Sequence, residues 1–96
     1  MNEYIILMLD DAPGDANGDW DGYIARLRQT GQFDGGSSIG SGQRLKKGQP
    51  EQAAGLGVTG FIRVRAASID DAKLLLAGNP DYEAGGSVEI RELPPG

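Results

Sequence analysis

Histidine and cysteine are both missing from the 96 residues. Without cysteine there is no disulfide framework and no thiolate metal site. Without histidine there is no Ser-His or Cys-His nucleophile, no imidazole metal ligand and no imidazole proton shuttle. Aromatic residues are scarce at 6% of the chain, with a single Trp. Basic residues are outnumbered by acids, 9 to 14, for a net charge of −5. That balance argues against nucleic acid or an anionic membrane as a partner. Long apolar runs are missing too. Tyr4 to Leu9 spans six residues, far short of the roughly 18 of a membrane span. Met1-Asn2-Glu3 adds no basic segment of the kind that opens a secretory signal. The expectation is a cytoplasmic protein of one domain, residues 1–96, with 93–96 as a flexible tail, and with no cofactor and no metal site. A chain of this length buries only roughly 60–70% of its unfolded surface, so its core is thin.

Glycine is the residue in excess, 16 of 96, and its placement is uneven. Eight lie within Asp34–Gly60, where each would cost a helix interior about 1 kcal/mol. That stretch reads as a loose strand followed by a long connection. Charge is uneven as well: residues 1–25 hold six acids and no base.

Hydrophobic spacing gives the elements. Glu3 to Leu9 reads as a strand with aliphatic residues on both alternating sets, hence central and covered on both sides. Trp20, Tyr23, Ile24 and Leu27 fall at helical spacing over Asp19–Thr30. Asp19 or Asp21 suits the cap of that helix, and Gly31 its left-handed end. Gln32 to Ser38 is a weak strand that could resume at Gln43–Lys46 after a glycine bulge. Val58 to Ala66 alternates Val58, Gly60, Ile62 and Val64 against Thr59, Phe61, Arg63 and Arg65. Ser68 with Asp71 caps a helix over Ile69–Ala77, with Ile69, Ala72, Leu75 and Leu76 as its buried stripe. Gly78-Asn79-Pro80 stops it. Ser87 to Leu93 is the last strand, closed by Pro94-Pro95. The order βαββαβ with right-handed crossovers implies an α+β, ferredoxin-like sandwich: an antiparallel four-stranded sheet with two helices on one face. The other face still carries the second apolar set of the first strand. A homodimer that stacks two such faces would cover it.

Motif matches mostly fail on context. Gly55-Leu56-Gly57-Val58-Thr59-Gly60 fits G-x-G-x-x-G, but a strand follows where a phosphate-binding helix is required. Gly36-Ser37-Ser38-Ile39-Gly40 fits G-x-S-x-G without a helix or a histidine base. Asp15-Ala16-Asn17-Gly18-Asp19 opens like an EF-hand loop, but Trp20 stands where glycine is required and Arg26 where glutamate is. Arg63 and Arg65 on one sheet face offer forks for a carboxylate or phosphate, or pair with nearby acids. Arg44, Lys46 and Lys47 form a short basic run that reads as solvated loop charge.

Three segments together resemble the YCII-related family, especially its DGPF-containing branch: Gly60–Ala72, Gly78-Asn79-Pro80, and Gly86-Ser87-Val88-Glu89-Ile90-Arg91-Glu92-Leu93-Pro94. The resemblance is specific over Gly60–Pro94 and implies a dimeric α+β barrel, in which a ferredoxin-like sandwich stacks its sheet on a twin. The wider superfamily includes muconolactone isomerase-like and dehalogenating enzymes. Many YCII-like proteins carry a His-Asp pair proposed as catalytic, and one branch carries Asp-Gly-Pro-Phe. This chain has neither, so the catalytic pair does not carry over and the expectation leans away from an enzyme.

Three function classes follow. The first is a non-catalytic, homodimeric module binding a small, anionic ligand between sheet and first helix. Trp20, Tyr23, Ser37, Arg44, Arg63 and Arg65 are its candidate lining. The second is an enzyme using a carboxylate such as Asp34 as general base beside an Arg. The third is a protein-partner module.

Overall fold

The computed structural model describes residues 1–13, 18–54 and 57–96. Among the described residues the elements follow in the order β1 (Asn2–Leu9), α1 (Trp20–Thr30), β2 (Phe33–Ser38), β3 (Gln43–Arg44), β4 (Gln52–Ala53), β5 (Val58–Ala66), α2 (Ile69–Leu74), α3 (Pro80–Glu83) and β6 (Val88–Leu93). Four strands form one antiparallel sheet in the order β2-β5-β1-β6. This is the ferredoxin-like α+β arrangement, with β1 and β5 central. Their side-chain sets are the most apolar in the chain, as central strands require.

Register divides the sheet into two faces. Tyr4 stands opposite Val64, and Ile6 opposite Ile62. These four are buried and pack with Tyr23 and Leu27 of α1 and with Ala72 and Leu76. The stripe expected on α1 is therefore a core stripe, with Trp20 and Ile24 partly buried at its border. The opposite face carries Ile5, Leu7, Leu9 and Phe61, all half-buried.

The caps of α1 follow from its ends. The Asp19 carboxylate accepts the Gly22 N–H at 2.9 Å, and Gly31 takes the left-handed conformation at φ 74°. A side chain at Gly31 would be strained there. Ser68 caps α2 by accepting the Asp71 N–H at 3.2 Å.

Three elements differ from the sequence reading. The helix expected over Ile69–Ala77 stops at Leu74. Beyond it, Leu76 N–H reaches back only to Lys73 C=O, and Asn79 N–H to Leu76 C=O. The chain tightens into successive three-residue turns, which turn Leu76 into the core and leave Ile69 45% exposed. Asn79-Pro80 does more than stop a helix: the Asn79 side chain accepts the Tyr82 N–H at 3.1 Å and begins the short α3. Finally, Gln43–Lys46 does not resume β2. The ladder to β5 ends where Ile39 N–H meets Thr59 C=O. Gly40 and Gly42 then lead into a separate hairpin in which β3 pairs with β4.

β2 is an edge strand with a register shift between Phe33 and Gly36, and Gly35 sits at φ 105°. Only glycine adopts that value without strain. Gly36 packs its Cα against the Phe61 carbonyl, where a side chain would clash with backbone.

Candidate functional site

A cleft of about 690 Å³ opens between α1, the edge of the sheet at β2 and β5, and the start of α3. Its apolar lining includes Trp20 and Ile24 from α1, Phe33 from β2, and Met8 and Ile62 from the central strands. Ser37, Ser38 and Thr59 add hydroxyl groups, and Gly36, Gly60 and Phe61 complete the sheet side. The volume lies within the roughly 300–1,000 Å³ of small-molecule sites. Trp20 is held by an edge-on contact with Tyr23, with ring centroids 5.9 Å apart.

The charged groups of the lining are Arg28, Asp10 and Asp81. Arg28 lies in the last turn of α1. Its guanidinium stands 5.8 Å from the Phe33 ring centroid, within reach of a cation–π attraction. Arg28 forms no ion pair among the described residues. Asp10 follows the C-terminal end of β1, and Asp81 sits in the first turn of α3. Burial holds the Asp81 carboxyl above the ordinary carboxylate value, and the negative charges of Asp10 and Asp11 push the same way. Asp11 moves in the opposite direction. Its carboxylate accepts the Ser87 hydroxyl and the Ser87 N–H, both at 2.6 Å, and these bonds stabilise its charged form. No group of three or more metal-ligating side chains occurs among the described residues.

The residues expected to line a ligand site separate into four places. Trp20 and Ser37 lie in the cleft. Tyr23 lies beneath it in the core, 1% exposed, and donates its hydroxyl to the Leu75 carbonyl at 2.8 Å. Burial raises its pKa, opposed by the Asn79 amide and the Arg26 charge. Arg44 lies on the β3–β4 hairpin and bonds Gln52. Arg63 and Arg65 stand on the open sheet face. Arg63 pairs with Glu3 at 3.4 Å. Arg65 pairs with Asp34 at 2.9 Å and donates to the Gly31 carbonyl at 2.6 Å. Asp34 is thus held by an arginine on the open face and does not line the cleft. Of the two glycine motifs, Gly36–Gly40 runs from β2 into a loop, with no helix after it. Gly55 and Leu56 of the other lie outside the described residues, as do Asp15, Ala16 and Asn17 of the EF-hand-like match.

Sequence reasoning missed Arg28, Asp10 and Asp81. Arg28 was within reach, since it lies four residues after Ile24 and borders the same helix face. Asp81 was not, because its position depends on the α3 turn.

The fold is similar to that of 5-chloro-2-hydroxyhydroquinone dehydrochlorinase (TftG) from Burkholderia phenoliruptrix AC1100, solved in complex with 2,5-dihydroxybenzoquinone. The TM-score is 0.62 at 17% identity, over 98% of this chain and 95% of that one. The likeness is one of fold, a four-stranded antiparallel α+β sandwich. No family profile and no curated protein matches the chain. No helix among the described residues is long and apolar enough to cross a membrane.

Proposed function

We propose that the chain is a YCII-related, homodimeric module that binds a small ligand in the cleft between α1 and the β2–β5 edge, without catalysing a reaction. The observation that carries this reading is the cleft itself: a space bordered by the Trp20 and Phe33 rings, with one unpaired guanidinium among the described residues at its border. Arginine in that setting suits a ligand with a carboxylate or similar anionic group. The neighbour's ligand, a single six-membered ring, is small enough for such a volume. The missing histidine speaks against the family's His-Asp chemistry.

The dimer belongs to the same proposal. On the open face, Arg63–Glu3 and Arg65–Asp34 neutralise one another within the chain. Ile5, Leu7 and Phe61 between them remain for a second copy of the face.

Trp20 is the only tryptophan and lines the cleft, so its fluorescence reports occupancy directly. Titration with benzoate and related small ring acids is expected to change that emission saturably and to raise the melting temperature. If no ring acid does either at millimolar concentration, the binding reading is wrong. The enzymatic alternative now centres on Asp81, which lines the cleft and is partly desolvated, in place of Asp34.

A further inference from the structure

The cleft is electrically polar along its length. Its two charged ends are fixed by different parts of the fold. Phe33, beside which Arg28 stands, pairs with Val64, and Val64 pairs with Tyr4 near the start of β1. Asp10 lies just beyond the other end of β1, about 20 Å away at the usual strand rise. α1 follows β1 in the chain and crosses back over the sheet toward β2. Its N-terminal approach abuts α3, where Gly18 lies against Pro80, and eight residues, about 12 Å of helix, separate Trp20 from Arg28. Asp81 on α3 therefore shares the end of Asp10, and the long Arg28 side chain marks the opposite end. Between them stand the rings of Trp20 and Phe33 and the side chains of Ile24, Met8 and Ile62, with Ser37, Ser38 and Thr59 on the sheet side.

A purely anionic ligand satisfies one end and is repelled by the other. Resting on the proposal that the cleft holds a ring acid, we infer that its ligand class is a dipolar aromatic, with a carboxylate toward Arg28 and an ammonium toward Asp10 and Asp81. Two carboxylates facing one space repel each other, and an ammonium placed between them removes that repulsion while gaining charge-assisted hydrogen bonds. The ring spans the apolar middle beside Trp20 and Phe33. A second carboxylate at the acidic end is rejected by the same charges that attract the ammonium.

The test uses the full chain and Trp20 fluorescence with four probes at neutral pH: para-(aminomethyl)benzoate, benzoate, benzylamine and terephthalate. The dipolar probe is expected to bind at least about tenfold more tightly than benzoate or benzylamine, one added charge-assisted contact being worth about that factor. Terephthalate is expected to bind more weakly than benzoate. Asp81→Asn and, separately, Asp10→Asn should narrow the gap in affinity between the dipolar probe and benzoate, both measured on the same variant. Circular dichroism confirms that each variant is folded, and two variants guard against the loss of either one. If the dipolar probe and benzoate bind equally well, the inferred ligand class is overturned and the cleft reading survives. If no probe binds, the cleft reading falls, and the ligand class with it.

Discussion

At the scale of single residues, two neighbouring carboxylates make opposite demands on pH. The folded-state pKa of Asp11 is lowered by its bonds to Ser87. Its contribution to stability is therefore present above the ordinary value of 3.8 and is lost as pH falls through its folded value. Asp81 is raised above 3.8, so ionising it in the folded state costs stability at neutral pH, and that cost vanishes once the group is protonated in both states. Asp81→Asn is accordingly expected to raise the melting temperature at pH 7, with the difference closing as pH falls to about 3.8. Asp11→Asn should lower the melting temperature at pH 7 and converge on the parent in acid. Thermal melts across pH check both signs. Tyr23→Phe tests the core: it leaves the ring and removes the bond to the Leu75 carbonyl, for an expected loss of about 1 kcal/mol in denaturant unfolding.

At the scale of elements, the termini of α1 and α2 are where single changes should be felt most clearly. Gly31→Ala places a side chain at φ 74° and should cost about 1–2 kcal/mol. Ser68→Ala removes the cap of α2 and should cost about 1 kcal/mol. Urea unfolding of each variant measures both. These ends were readable from residue order, because a cap depends on neighbours three positions away. So were β1, β5 and the stripe of α1, whose apolar spacing extends over several turns or pleats. What escaped the sequence has a common physical character. The shortened α2, the α3 turn at Asn79-Pro80 and the hairpin of β3 with β4 are set by how the chain is drawn into or released from the core. Leu76 is pulled inward by the sheet, and Gly40-Ser41-Gly42 has no apolar side chain with which to stay on it. Arg63, Arg65 and Asp34 illustrate the same limit at the site. Alternation placed the arginines on the correct face of β5, but their partners came from the two strands that flank it, Glu3 on β1 and Asp34 on β2. The cleft instead gathers Arg28 and Asp81, 53 positions apart in sequence, which no local pattern connects.

At the scale of the whole molecule, the thin core of a short chain meets a sheet with one covered face and one half-buried face. If two copies stack there, the lysine variant Leu7→Lys on the central strand should place like charges at the seam. Light scattering coupled to size exclusion is expected to show about twice the chain mass of 10.1 kDa for the parent and the single mass for the variant. A single mass for the parent would overturn the stacked dimer.

The register shift in β2 has a consequence of its own. An outermost strand normally presents a row of unsatisfied amides to any strand that drifts past. In β2 that row is broken by Gly35 in a conformation that no regular ladder continues. At the opposite border, β6 runs straight into Pro94-Pro95, which lack the N–H needed to recruit a further strand. The β2 border is therefore a poor template for lateral growth, and the β6 border offers a ladder that ends at Leu93. A strand that approaches the β2 border finds no continuous ladder to extend, so side-by-side growth into a fibre is hindered there even when copies are crowded.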